Sequence, residues 1–237
     1  MKLIGLLGGI NGWRTTATYY RLMNEYVRKQ LGNDHTARIL LHSVDYQHIN
    51  QWRASDDWDA IGSLLAEAAR GLNAGGAEFI VLAGNSIHKS TDHINAASGL
   101  DLLHIADPVG SEIVRDGYRK VGLLGTRATM ETDIYEKRLQ QTYGISMIVP
   151  DPVDRIELDR IIFDELSLGV IRTELQAYVC GLIRQLRDRG AEAIILGCPE
   201  LTVLAPPDNN ILPVYDTTRL HATAAVMRAI EKTHART

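Results

Sequence analysis

A four-residue pattern that occurs twice constrains this chain more than any other feature. Gly5-Leu6-Leu7-Gly8 and Gly122-Leu123-Leu124-Gly125 are the same four residues, and each closes a short apolar run. The third apolar run of each half ends at Ala83 in the first half and at Cys198 in the second, and the fourth ends in an aspartate, Asp107 or Asp216. Three landmarks in the same order indicate an internal duplication.

Each half alternates short apolar runs with stretches of helical periodicity. Such alternation is typical of a parallel sheet that is covered by helices on both faces. We therefore predict an α/β fold of two pseudo-symmetric parallel-sheet domains, with the active site in the cleft between them. The first domain is predicted to span residues 1–105 and to be completed by a C-terminal helix over 218–237, and the second to span 106–217.

Local patterns add detail to this outline. Thr15 and Thr16 are typical caps for a helix over 17–31. The polar residues of segment 47–53 predict a loop, and an apolar run predicts a fourth strand, Leu102–Ala106, that ends at Asp107.

Composition narrows the classes of partner. The net charge of the 237 residues is −4, which disfavours a nucleic-acid or anionic-membrane partner. The apolar runs are too short to span a bilayer, and no leader peptide is evident. The two cysteines have different surroundings and do not form a disulfide framework, so we expect the protein to be located in the reducing cytoplasm. No metal-ligand spacing, dinucleotide loop or pyridoxal lysine is present, so we expect no cofactor or metal. A homodimer that acts on a small molecule is the expected form.

Ligands of parallel α/β sheets bind at the carboxyl ends of the strands. The residues at those positions are Gly9, Asn11, Asn85, Ser86, Thr126, Cys198, Pro199 and Glu200. If the halves face each other about a pseudo-twofold axis, Ala83 and Cys198 lie on opposite walls of one cleft.

Many short segments resemble the aspartate/glutamate racemase superfamily, the amino-acid racemases that use no cofactor. Within it, the chain looks most like the enterobacterial L-aspartate/glutamate-specific racemases. The similar segments span nearly the whole chain: 4–9, 41–45, 85–89, 104–107, 123–130, 161–166, 197–200 and 212–217.

The resemblance implies a reaction between two cysteines, one of which removes the α-proton while the other returns a proton on the opposite face. The second cysteine of the family is kept in Gly197-Cys198-Pro199-Glu200, with proline in place of threonine. The first cysteine is replaced by Ala83, although Asn85 and Ser86 remain. Alanine neither takes nor gives a proton. Ala83 is therefore an engineered change, or the mark of a one-base reaction like that of arylmalonate decarboxylase, or the mark of a protein that binds without turnover.

The leading hypothesis is an amino-acid racemase of the aspartate/glutamate type with Cys198 as its acid/base. The alternatives are a one-cysteine lyase and an amino-acid-binding remnant of the fold. Glu200 and His88 are candidates to orient or tune the thiol, and a helix that starts after Cys198 would favour its thiolate. Cys180 is predicted to be core.

Further candidates for substrate binding come from the family resemblance and from the arginines. Thr126 and Thr129 resemble the family's binding positions at the end of the second half's first strand. Arg53, with Arg14 and Arg127 as rivals, would bind the distal carboxylate of a dicarboxylic substrate.

Overall fold

The computed structural model describes residues 1–206 and 210–231, which fall into two compact units. The first unit comprises Met1–His104 together with the segment from His221 onward, and the second comprises Ile105–Leu220. Within the described residues, the strands are β1 Ile4–Gly8, β2 Ile39–Ser43, β3 Phe79–Leu82, β4 Leu102–Leu103, β5 Lys120–Gly125, β6 Ser146–Ile148, β7 Ala193–Gly197 and β8 Val214–Asp216.

Helices alternate with these strands along the chain. They are α1 Gly12–Leu31, α2 Tyr46–Ala54, α3 Trp58–Ala74, α4 Thr91–Ser98, α5 Ala106–Arg115, α6 Arg127–Met130, α7 Asp133–Arg138, α8 Pro152–Arg160, α9 Thr173–Asp188 and α10 Thr217–Ile230. Short 3₁₀ or π-helical turns join several of them. No helix in the described ranges is long and apolar enough to cross a membrane.

Each unit contains one four-stranded parallel sheet. The strand orders are β2-β1-β3-β4 and β6-β5-β7-β8, so the second unit repeats the order of the first. The predicted α/β fold with two parallel-sheet domains is therefore confirmed.

The strands in the middle of each sheet explain why the sequence folds this way. Every residue of β1, β3 and β7 is buried, because helices cover both faces of a parallel sheet and leave no solvent-facing side. In the first unit, alternate residues of β1 enter different apolar clusters. Leu7 packs on the side of α3, and Leu6 packs on the side of α1 and α10.

Three local predictions are wrong. Thr15 and Thr16 do not cap α1, which begins at Gly12; they are buried inside it, and the Thr16 hydroxyl accepts a hydrogen bond from Gly9 N at 2.8 Å. Strand β4 has only two residues, because Ala106 already starts α5. Asp107 therefore lies in the first turn of α5, where the neighbouring proline is tolerated, rather than at a strand end.

The third wrong prediction is the polar loop over 47–53, which is helix α2. Tyr46, Ile49 and Trp52 recur every three residues and face the apolar cluster of α3, and Ile49 is fully buried. The Asp45 carboxylate starts the helix by accepting a hydrogen bond from Gln47 N at 3.0 Å. The sequence pattern predicts a loop here because polar residues outnumber the three apolar residues that recur at this spacing. The last six residues of the predicted C-terminal helix, 232–237, lie outside the described residues.

Candidate active site

Cys198 follows the last residue of β7, at the carboxyl end of the second sheet. Its backbone is extended, and a five-residue 3₁₀ turn, Pro199–Val203, begins directly after it. The proline at the start of this turn gives up no backbone hydrogen bond, because first-turn N–H groups have no partner within a helix. The thiol is 6% exposed, so it is nearly buried but sits where ligands of parallel sheets bind.

The thiol is paired with an acid. Cys198 Sγ donates a hydrogen bond to Glu200 Oε2 at 2.7 Å. Burial, followed by the negative charge of Glu200, raises the pKa of the Cys198 thiol well above its ordinary value. The Glu200 backbone N–H of this turn favours the thiolate, as expected of a helical turn that follows the thiol, but burial and the Glu200 carboxylate outweigh it. At rest the group is a protonated thiol.

Thr126 and Thr129 lie beside this thiol segment. Their hydroxyl oxygens are 3.0 Å apart, and a Cβ built on Gly197 would meet Thr129 Cγ2 at 2.9 Å. Thr129 lies on the short helix α6, and Asp159 holds the start of this helix because its Oδ1 accepts a hydrogen bond from Arg127 N at 2.7 Å. Asp159 also contributes to the raised pKa of Cys198. The second unit thus brings together five predicted site residues, which are Thr126, Thr129, Cys198, Pro199 and Glu200.

In the first unit, Ala83 occupies the corresponding end of β3. Its N–H donates to Leu7 O at 2.9 Å, and its side chain is fully buried. It belongs to the same apolar cluster as Leu6 and Tyr19. The methyl group therefore completes a packed core at a position where the family resemblance implies a thiol.

Asn11 connects the first turn of this unit to the segment after Ala83. A Cβ on Gly84 would lie 2.7 Å from Asn11 Nδ2, so the amide packs against the backbone there. Asn11 Oδ1 accepts a hydrogen bond from Arg53 Nη2 at 3.1 Å. The turn that presents Asn11 contains Gly9, whose φ of +79° suits glycine.

Arg53 differs from its two rivals in what it contacts. Arg14 lies over the exposed ring of Trp13, with 5.3 Å from its Cζ to the ring centroid. Arg127 binds Glu131 through two hydrogen bonds of 3.2 and 3.0 Å, which raises the pKa of its guanidinium. Arg53 contacts another predicted site residue, Asn11.

Asn85 and Ser86 are buried next to Ala83. They open a 3₁₀ turn, Ser86–Ser90, and the Asn85 side chain does not cap it. His88 instead holds this segment, because its Nδ1 donates to Gly84 O at 2.9 Å and to Asn85 O at 3.2 Å. His88 belongs to the first unit and Cys198 to the second.

Sequence reasoning missed a cluster of buried histidines around His88. The ring centroid of His88 lies 4.8 Å from that of His104 and 5.5 Å from that of His221. His221 Nε2 donates to Leu103 O at 2.8 Å, so its Nδ1 accepts from the Tyr19 hydroxyl at 2.9 Å. These residues are too far apart in the chain for a spacing rule to detect them.

The cluster predicts a loss of stability in mild acid. Burial, then the neighbouring His104 and His221, lower the pKa of His88 well below its ordinary value. The unfolded chain, whose histidines titrate near about 6.5, therefore takes up a proton first, and the free energy of unfolding falls as pH drops below that value. One proton corresponds to at most about 1.4 kcal/mol per pH unit.

Urea unfolding between pH 8 and pH 5 measures this slope. We expect His88→Gln to have a shallower slope than the unchanged protein. His35→Gln, which alters an exposed histidine, is the matched control and keeps the original slope. An unaltered slope in His88→Gln would show that His88 is not the group responsible.

The aspartates expected at strand ends have structural partners. Asp216 accepts hydrogen bonds from Thr218 N and Arg219 N and thereby caps α10. Asp107 forms two hydrogen bonds of 2.6 and 2.7 Å with Arg138. Within residues 1–206 and 210–231, no three His, Cys, Asp or Glu side chains are grouped as metal ligands.

Comparison with known proteins gives consistent matches over almost the full length. A family model described as Asp/Glu/Hydantoin racemase matches residues 7–225. A crystal structure from Yersinia pestis, provisionally assigned as an Asp/Glu racemase, is 44% identical with a TM-score of 0.92, and the match covers 98% of this chain and 100% of that one. An aspartate racemase homologue from Pyrococcus horikoshii OT3 is 31% identical with a TM-score of 0.85, at coverages of 97% and 99%. The broad specificity amino-acid racemase RacX of Bacillus subtilis strain 168 is 23% identical over 235 residues, which are 94% of this chain and 96% of RacX.

Proposed function

Because the chain belongs to the Asp/Glu/hydantoin racemase family, we propose that it moves the α-proton of a dicarboxylic amino acid, with the Cys198 thiol as its acid/base. The observation that carries this proposal is the nearly buried thiol at the end of β7, hydrogen-bonded to Glu200 at 2.7 Å. A group that exchanges protons with substrate has to be held in a fixed direction, and this hydrogen bond supplies that constraint.

The α-proton of an amino acid is a very weak acid, so its removal needs an aimed base and stabilisation of the negative charge that develops. In the proposed step, Glu200 first accepts the Cys198 proton through their hydrogen bond. The resulting thiolate then takes the α-proton, and the C–H electron pair moves onto the α-carbon and its carboxylate. The new S–H proton exchanges with solvent, and the thiol then returns a proton to the same face. The family resemblance implies that position 83 supplies the proton for the opposite face. Because Ala83 has no ionisable group, it cannot supply that proton, and we expect configuration to be retained.

Candidate substrate-binding residues occur in each unit. We propose that Arg53, oriented by Asn11, binds the distal carboxylate through its planar guanidinium. The hydroxyls of Thr126 and Thr129 and the polar groups of Asn85 and Ser86 are proposed to bind the α-carboxylate and α-ammonium groups. The absence of a Cβ at Gly9 lets the Val44 backbone pack against this turn, since a Cβ there would collide with Val44 O.

Deuterium exchange tests this proposal directly. The protein is incubated in D₂O with each enantiomer of aspartate and glutamate, and the α-proton signal is followed by NMR while chiral chromatography follows inversion. We expect one enantiomer of one substrate to lose its α-proton signal without inversion. The absence of exchange for all four compounds would contradict the proposed function, and inversion would contradict the one-base form of it.

A second candidate is decarboxylation of a substituted malonate, and the protonation state of Cys198 favours it. Loss of CO₂ would leave an electron pair on the α-carbon as an enediolate, and the Cys198 S–H would donate its proton to form the new C–H bond. The raised pKa keeps the thiol protonated at rest, as a donor needs. The resemblance to a superfamily that includes arylmalonate decarboxylase is consistent with a single thiol. CO₂ release from phenylmalonate, measured alongside the exchange assay, separates the two candidates.

A further inference from the structure

A cavity in the second unit has a lining different from that of the candidate active site. It is open to solvent, has a volume of about 550 Å³ and is lined by residues of α6, α7, α8 and strand β6. Of the five predicted site residues in this unit, none lines it. Its size falls within the range of small-molecule sites, so its charges and apolar surface decide what it fits.

The charged residues of the cavity are only partly paired with one another. Arg127 and Glu131 neutralise each other through their two hydrogen bonds. Arg155 Nε is 3.6 Å from Glu131 Oε1, which is too long for a hydrogen bond, and this buried atom has no hydrogen-bond partner in the described part of the chain. A desolvated guanidinium N–H without an acceptor is unfavourable, so Arg155 favours an added anionic group.

On the same lining, Glu136 provides the opposite charge. This exposed carboxylate makes no hydrogen bond or ion pair within residues 1–206 and 210–231. The cavity thus has one incompletely paired cation and one unpaired anion, while the other two charges cancel. Its formal charge is balanced, which disfavours a phosphate or a dicarboxylate, because an extra negative charge would approach Glu131 or Glu136.

The remaining lining is apolar. Met147 on the edge strand β6 and Met130 on α6 supply flexible thioether side chains, which adapt to ligand shape. Ile156 on α8 borders the cavity and is 56% exposed, so an apolar ligand group would cover surface that now faces water. A cation, an anion and an apolar wall around one cavity are complementary to a zwitterion with an apolar side chain.

We propose that this cavity binds an apolar α-amino acid, with its carboxylate on Arg155, its ammonium on Glu136 and its side chain against Met147 and Ile156. This binding does not depend on which reaction Cys198 carries out, or on whether it carries out any reaction.

Isothermal titration with L-methionine tests the proposal. We expect saturable binding to the full chain, and a dissociation constant raised about tenfold or more in Arg155→Gln and in Glu136→Gln, since each loses one charged contact. Methioninamide, which lacks the carboxylate, and 4-(methylthio)butanoate, which lacks the ammonium, are expected to bind about tenfold or more weakly. Arg184→Gln and Glu174→Gln, exposed positions on α9 outside the cavity, are the matched controls and leave the affinity unchanged.

Two results would overturn the proposal. One is an absence of L-methionine binding to the unchanged protein. The other is equal affinity in Glu136→Gln, an exposed substitution that carries little risk to folding. Cys198→Ser is titrated in parallel to separate the sites. Retained affinity there supports the cavity, and loss of affinity there would assign the binding to the candidate active site instead.

Discussion

The substitution Ala83→Cys is expected to convert one-face exchange into racemisation. A thiol at position 83 would supply the second proton donor that the family resemblance implies, and positioned acid/base groups typically contribute about 10²- to 10⁴-fold. Chiral chromatography with aspartate and glutamate should then detect the opposite enantiomer, at a rate at least about 10²-fold above that of the unchanged protein. In D₂O, the product should carry deuterium at the α-carbon.

The matched control is Ala83→Ser, which adds a side chain of nearly the same size with a far weaker acid. It should not produce inversion. Ala83 is fully buried within an apolar cluster, so both variants add one atom to a packed core, at a cost of about 1–3 kcal/mol. Thermal unfolding of the pair shows whether they tolerate the atom equally. A stable Ala83→Cys protein that still exchanges without inversion would show that the missing thiol is not what limits the reaction.

The substitution Cys198→Ser is expected to abolish α-proton exchange, with a loss of about 10³-fold or more. Serine preserves the size of the side chain and the ability to donate to Glu200, but its hydroxyl does not ionise near neutral pH. The measurement is the rate of loss of the α-proton signal in D₂O. Because serine keeps the size of the side chain, the expected loss reports proton transfer rather than altered packing.

Cys180→Ser is the matched control for this experiment. Cys180 is the other free cysteine, lies on α9 and is partly exposed. Its replacement should leave exchange unchanged. Exchange that persists in Cys198→Ser, or that disappears in Cys180→Ser, would assign the base to another residue.

Much of the fold followed from local patterns. The repeated Gly-Leu-Leu-Gly runs and the fully apolar segments around them correctly predicted two parallel sheets, because a strand buried on both faces needs an unbroken apolar run. Prediction failed where that signal was weak. The pattern of segment 47–53 predicts a loop rather than helix α2, because its polar residues outnumber its apolar ones. The predicted β4 is too long because the apolar residues Ile105 and Ala106 are compatible with either a strand or a helix.

The sequence by itself determined the duplication, the sheet class and the position of Cys198 at a strand end, because these depend on residue type and spacing along the chain. Tertiary structure decided what surrounds those positions. It buried the thiol and so raised its pKa, joined Arg53 to Asn11 across 42 residues, and gathered His88, His104 and His221 into one buried cluster. Desolvation and hydrogen bonding between distant residues exist only in the folded chain, so no reading of local pattern contains them.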